Sequence, residues 1–204
     1  MPTELVIATK NKKKLKEIKN ILKSLGLKIT SLSGYRNSPR IIENGRTFKD
    51  NAIKKAVKIA RFTKKFTLGE DSGLCVDSLC GAPGVYSSRF AGKNKSDPQN
   101  NQKVLRLLDK LPLKKRKAHY VCAVALADKD GLIGVAGGKC DGIIGFQMKG
   151  RSGFGYDPLF IIPKHKKTFA QLGPRIKHKM SHRFRALEKA KKIIQKYIEQ
   201  HKGS

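Results

Sequence analysis

The alternation at the start of the chain constrains the fold more than any other feature. Leu5-Val6-Ile7-Ala8 is a short continuous apolar run of the kind a buried strand carries. A polar, basic stretch from Thr9 to Lys14 follows. Leu15, Ile18, Ile21, Leu22 and Leu25 then recur at helical spacing and stop at Gly26, a residue suited to the position after a helix. Strand, polar loop, helix is the opening of an α/β chain. Residues 27–32 read as a second strand and 34–45 as a turn-rich connection. Thr47 caps a second helix with Asp50 in its first turn. The apolar stripe of that helix is Phe48, Ala52, Ala56, Ile59 and Ala60, and Lys54, Lys55 and Lys58 are expected to face away. Residues 66–68 open another strand, expected to run into a Gly-rich loop over 69–73, with a second glycine cluster at 81–84. Val104, Leu107, Leu108 and Leu111 mark a helix ending at Pro112. Residues 120–127 form the clearest β run, and Asp128-Lys129-Asp130-Gly131 before residues 132–136 makes a hairpin. A Gly-rich loop over 150–158 leads into a strand over 159–162. Ser181 caps a final helix with Phe184, Leu187, Ala190 and Ile194 inside. The expectation is α/β with a mixed sheet, one domain over residues 1–200 and a disordered tail over 201–204.

Length and composition narrow the class. A chain of 204 residues can bury a substantial core without staples. No apolar run approaches the ~20 residues of a membrane span, and the N-terminal segment lacks the basic and apolar regions of a signal peptide. Cys75, Cys80, Cys122 and Cys140 stand at irregular spacings without a C-x-x-C pair, so reduced, mostly buried thiols in a cytoplasmic protein are expected. Lys and Arg total 45 against 15 Asp and Glu, a net charge of +30. That balance raises a nucleic-acid binder as one hypothesis. Against it, the cations are spread over almost every segment, thin out at the glycine clusters, and accompany only 7% aromatic residues and no Trp.

Four segments carry candidate chemistry. Glu70-Asp71-Ser72-Gly73 is acidic inside a very basic chain. Adjacent carboxylates there suit a hard cation such as Mg²⁺, or form a solvated turn. Thr9 to Lys14, between a strand and a helix start, suits an anion, or is a solvated basic helix start; it is not a P-loop, because the G-x-x-x-x-G-K-[ST] pattern is absent. In Ser152-Gly-Phe-Gly-Tyr-Asp-Pro158 the glycines flanking Phe154 leave its ring free to stack on a base, or Phe154 and Tyr156 belong to the core. Lys177 and Ser181-His182-Arg183 put cations at a helix start, against its dipole, where a ligand or water must compensate.

Taken in order, these segments match a known pattern. The sequence resembles the inosine triphosphate pyrophosphatase family (dITP/XTP pyrophosphatases acting on non-standard purine nucleotides) from Val6 to about Leu187. The motifs are Ala8-Thr-Lys-Asn11 with Lys14, Glu43-Asn-Gly-Arg-Thr-Phe48 with Asn51-Ala52, Glu70-Asp-Ser-Gly-Leu74 with Val76-Asp77, Gly81-Ala-Pro-Gly-Val-Tyr-Ser87 with Arg89-Phe-Ala-Gly92, Gly153-Phe-Gly-Tyr-Asp-Pro158 and Ser181-His-Arg183. The resemblance implies a central mixed, strongly twisted sheet flanked by helices, two lobes with an active-site cleft between them, and a homodimer. It implies Mg²⁺-dependent hydrolysis of ITP, dITP and XTP to the monophosphate and pyrophosphate. It implies Asp71 as proton acceptor and metal ligand, Glu43 as second metal carboxylate and Glu70 as a further candidate. Substrate contacts carried over are Thr9, Lys10, Asn11, Lys12, Lys13, Lys14, Ser72, Phe154, Gly155, Tyr156, Asp157, Lys177, His182 and Arg183, the last two near the purine O6. Donors there would favour an acceptor O6 over the amine of adenine. The sequence departs from the family at position 70, Glu where many relatives carry Asp, and at position 10, Lys where many carry Gly. A pyrophosphatase acting on modified pyrimidine nucleotides is the rival within enzymes; the last two motifs favour purines. Neither nucleic acid nor a membrane is required as a partner.

Overall fold

The computed structural model describes residues 4–92 and 96–201; residues 202–204 of the expected tail lie outside them. His201 is described and ends in a turn, its Nδ1 2.8 Å from the Tyr197 carbonyl oxygen. The elements are β1 (Glu4–Ile7), α1 (Lys12–Leu22), β2 (Lys28–Ser31), α2 (Phe48–Thr63), β3 (Thr67–Val76), α3 (Asp97–Leu107), β4 (Lys117–Ala127), β5 (Leu132–Ile144), β6 (Phe160–Ile162), β7 (Lys167–Thr168), α4 (Phe169–Lys177) and α5 (His182–Gln200). The sheet runs β2-β1-β3-β4-β5-β6-β7. β1 pairs parallel with β2 and β3, whereas β5–β6 and β6–β7 are antiparallel, so the sheet is mixed, as expected for an α/β chain.

The chain clusters into two compact units, Met1–Asp71 with Cys122–Gly138 and Arg183–Ser204, and Ser72–Val121 with Lys139–His182. In the first, β1 buries both faces. Leu5 and Ile7 join Ile18 and Leu22 of α1 and Leu187 and Ile194 of α5, while Val6 and Ala8 join Ile59 of α2. β4 repeats the pattern: Cys122, Val124 and Leu126 take the α1–α5 side, and Ala123, Ala125 and Ala127 meet Ala52, Ala56 and Ala60 of α2. Strands covered on both faces read as unbroken apolar runs, and these two do. In the second unit Leu74, Val104, Leu108, Tyr120, Phe160 and Phe169 form the core. There the buried Arg116 guanidinium donates to the carbonyls of Ile144 (3.0 Å), Leu108 (2.8 Å) and Gly145 (2.8 Å).

Thr47 caps α2 through a reciprocal box with Asp50, its Oγ1 accepting from Asp50 N at 3.1 Å and Asp50 Oδ2 accepting from Thr47 N at 3.0 Å. The hairpin between β4 and β5 closes as Asp128 N donates to the Gly131 carbonyl at 2.9 Å. β7 and α4 have no counterpart in the sequence reading; Gly173, at φ 75°, and Pro174 interrupt the helical pattern there.

The main difference lies in β3. Residues 69–73 form no loop: β3 is one continuous strand of 10 residues through them. Gly69 is required by close packing. A Cβ at this position would lie 2.3 Å from the Ala52 carbonyl oxygen and 2.6 Å from the Ala56 nitrogen, both in α2.

Candidate active site

The register places the acidic residues. Val6 and Ile7 pair with Thr67 and Leu68, so Glu70 and Asp71 follow where β1 has already ended. That is the carboxyl edge, where open α/β sheets hold ligands. Consecutive strand residues point to opposite faces, and these two do. Glu70 turns to the α1–α5 side and Asp71 to the α2 side.

Asp71 is buried between two α2 residues. Lys55 Nζ donates to its Oδ1 at 2.9 Å and Asn51 Nδ2 to its Oδ2 at 3.2 Å. Lys55 also meets Glu43 Oε1 at 3.0 Å and donates to the Glu70 carbonyl oxygen at 3.1 Å. Burial raises the Asp71 pKa above the ordinary carboxylate value, against the opposing pull of Lys55 and Lys14. Burial also works against the charge on Lys55, but Asp71, Glu43 and Glu70 outweigh it and hold the ammonium above its usual pKa.

Asn51 and Lys55 are the residues that sequence reasoning missed. The expectation that Lys54, Lys55 and Lys58 all face away holds for the exposed Lys54 and Lys58 and fails for Lys55, which is buried. The available signal was spacing: Asn51, Lys55 and Ile59 stand four apart on one ridge of the helix.

Glu70 belongs to a different cluster. Its Oε1 accepts from Arg183 Nη2 at 2.9 Å and Nε at 3.2 Å, and its Oε2 meets Lys14 Nζ at 2.8 Å. Cys122 Sγ donates to Oε1 at 3.3 Å, and Arg183 also pairs with Glu17. The charges of Glu70 and Glu17 raise the Arg183 pKa further despite complete burial, and burial pushes the Cys122 thiol far up. Glu70 is therefore held by Lys14, Arg183 and Cys122. The adjacency that suggested a shared cation assumed a loop; in a strand it separates the two carboxylates. Among the described residues, no three His, Cys, Asp or Glu side chains are grouped so as to hold a metal ion. What remains is the pair Asp71 and Glu43, converging on Lys55. Hard cations are held through one or two carboxylates with several waters, so this pair fits Mg²⁺.

The other expected residues divide between the units. In the first, Asn11 Oδ1 accepts from Lys13 N (3.0 Å) and Lys14 N (3.1 Å), capping α1, so those two amides are already used. Lys10, Asn11, Lys12 and Lys13 are exposed, Thr9 half-buried. Arg183 lies inside, its guanidinium on Glu17 and Glu70; these carboxylates offset a cation at a helix start. In the second unit, Asp157 Oδ2 accepts from Lys177 Nζ (2.7 Å) and Phe154 N (2.9 Å), both Asp157 and Lys177 being buried. The Lys177 ammonium stands 4.7 Å from the centre of the half-buried Phe154 ring. Gly153, at φ 84°, permits this turn: a Cβ there would lie 2.0 Å from Asp157 Oδ2. Gly155 N donates to Asp97 Oδ2 at 2.8 Å, and Tyr156, buried, donates to the Ser87 carbonyl at 2.8 Å. His182, also buried, stacks on Tyr120 with ring centres 4.5 Å apart. Ser72 follows Asp71 in β3, half-buried. All four cysteines are free thiols; Cys122 and Cys140 are buried, Cys75 half-buried, and Cys80, against expectation, exposed.

A mixed sheet with a buried carboxylate gripped by lysine and asparagine at its carboxyl edge defines an α/β protein with a candidate general base. The chain belongs to the Ham1 family, whose model matches residues 5–193. It is 48% identical over 198 residues to a dITP/XTP pyrophosphatase of Desulforamulus reducens, covering 97% of this chain and 98% of that protein. It is 45% identical to a dITP/XTP pyrophosphatase of Rhodopirellula baltica, covering 90% and 89%. Among solved structures, it is similar to a HAM1 protein from Coxiella burnetii, with a TM-score of 0.86, 38% identity and coverage of 95% and 99%. Among the described residues, no helix is long and apolar enough to cross a membrane.

Proposed function

We propose that this chain hydrolyses non-standard purine nucleoside triphosphates of the dITP, ITP and XTP class to the monophosphate and pyrophosphate. The observation that carries this reading is the setting of Asp71, together with the relatives named dITP/XTP pyrophosphatase. Water adds to the α-phosphorus, the bond to the β-phosphate oxygen breaks, pyrophosphate leaves, and Asp71 takes the proton of the water. Lys55 and Asn51 each hold one oxygen of that carboxylate, and its raised pKa makes it a better base than an exposed aspartate. Lys14 and the Thr9–Lys13 loop neutralise the triphosphate, since phosphoryl transfer needs positioning and charge compensation above all. Asp71 and Glu43 would hold Mg²⁺, which when bound supplies Lewis acidity at the phosphate. Arg183 acts from behind by holding Glu70 and Glu17. A cytoplasmic homodimer belongs to the same reading, and light scattering tests the dimer.

The test is pyrophosphate release from ITP, XTP, dITP, GTP, ATP and UTP with Mg²⁺ and with a chelator. Preference for the first three by at least about tenfold is expected, the low end of what pocket contacts supply. Activity on UTP above that on ITP would favour the pyrimidine rival, and full turnover in the chelator would remove the metal.

A further inference from the structure

The connection between β5 and β6 carries Phe154 between two glycines in the left-handed region, Gly153 at φ 84° and Gly155 at φ 62°. Glycine loses more freedom on folding than any other residue, so such a loop keeps one shape only if something fixes it. Packing fixes Gly153, where a Cβ would strike the Asp157 carboxylate. It does not fix Gly155, where a Cβ would meet nothing within 4 Å. Hydrogen bonds from α3 hold that residue instead. Gly155 N donates to Asp97 Oδ2 at 2.8 Å, and the Gly155 carbonyl oxygen accepts from Asn101 Nδ2 at 2.8 Å. Both partners belong to the same compact unit as the loop.

Asp97 and Asn101 stand four apart on one ridge of α3. Asparagine is a poor choice for a helix interior, because its amide competes for backbone groups. Asn101 is nevertheless buried there, 1% exposed, and its amide also donates to the Asp97 carbonyl oxygen at 2.7 Å. That local bond aims the side chain at Gly155. An apolar residue of the same size would suit the helix better but could not donate. The helix is itself tied down by its neighbour Asn100, whose Oδ1 accepts from Ala91 N at 2.7 Å. On the other side of Phe154, its own N donates to Asp157 Oδ2. The backbone is therefore held both before and after the Phe154 ring.

We propose that Asp97 and Asn101 are positioning residues for nucleotide binding. They hold Gly155 and so fix the half-buried Phe154 ring, the group on this loop against which a purine packs. The inference rests on the reading that the substrate is a purine nucleotide.

Hydrogen exchange at the amides of residues 153–157, followed by mass spectrometry, reads the hold without turnover. Asp97→Ala is expected to speed that exchange about tenfold, the weight of one amide-to-carboxylate bond, and Asn101→Leu to act in the same direction. In dITP hydrolysis both variants should raise KM by a similar factor and leave kcat in place. Asp97→Asn keeps an acceptor for Gly155 N and is expected to restore most of the parental exchange and KM. Gln99→Ala is the structural comparison. Ser96 N donates to Gln99 Oε1 at 2.9 Å at the start of the same helix, so this variant loosens α3 without touching Gly155. It should melt lower yet keep KM within about twofold of the parent. Parental exchange in both Asp97→Ala and Asn101→Leu would overturn the hold on Gly155. Faster exchange with KM unmoved, a loss confined to kcat, or an equal rise of KM in Gln99→Ala would overturn the positioning role. Failure of every purine nucleotide to turn over, with exchange responding as expected, would sink the proposed reaction and leave the hold standing.

Discussion

Replacing Arg183 by methionine removes the cation that faces Glu70 and Glu17. Breaking a buried ion pair in this way costs about 3–5 kcal/mol. Arg183→Met is therefore expected to lower the denaturant midpoint strongly, and a midpoint near that of the parent would show that the cluster is not stabilising. Asp71→Asn also breaks a buried pair, with Lys55, and turns an amide NH₂ toward one of the donors that Asp71 now accepts from. The expected outcome is a folded variant with a lower melting temperature and a rate loss of roughly 10²–10⁴-fold, because the amide accepts no proton, read by pyrophosphate release; near-parental turnover would remove Asp71 as base. Asp71 was legible, with Glu70, as an acidic exception in a basic chain, and Glu43 only through the family resemblance. Lys55 was not, because a lysine on a helix is ordinarily solvated, and only the carboxylates arriving from β3 and the preceding connection make its burial favourable.

At the scale of the element, β3 and α2 are built for each other. Gly69 and the alanines at 52, 56 and 60 bring the helix close enough for Asn51 and Lys55 to reach Asp71. Gly69→Ala forces the helix outward, and overpacking of this kind costs about 1–3 kcal/mol. Loss of activity should accompany the lower melting temperature, since the grip on Asp71 depends on the same spacing; a variant that melts lower yet keeps full kcat would separate the two. Periodicity and apolar runs revealed α1, α2, α5 and the inner strands β1 and β4 because each buries one clear stripe or run. They misread residues 69–73, since glycine is ambiguous: the same residue that opens a turn also admits a neighbouring backbone. The short α4, broken by Gly173 and Pro174, carried too little periodic signal to be read.

For the whole molecule, the +30 charge bears on capture more than on folding. A triphosphate approaching so basic a surface is steered at low ionic strength, and screening shortens to about 10 Å at 0.1 M salt. Raising salt is expected to reduce kcat/KM several-fold while leaving kcat in place; a flat kcat/KM would show that capture is local to the loop lysines. By itself the sequence determined the α/β class, the order of most elements, the basic loop after β1 and the acidic stretch in β3, because these follow from local periodicity, capping and charge. Only the tertiary structure decided what the acidic residues do. Continuous strand geometry turns Glu70 and Asp71 to opposite faces, so one closes an internal ion cluster with Arg183 and the other meets Lys55 and Asn51. Side-chain direction in a strand is a two-residue alternation, but which partners wait on each face is settled by other elements, α2 for Asp71 and, 113 positions away, Arg183 for Glu70.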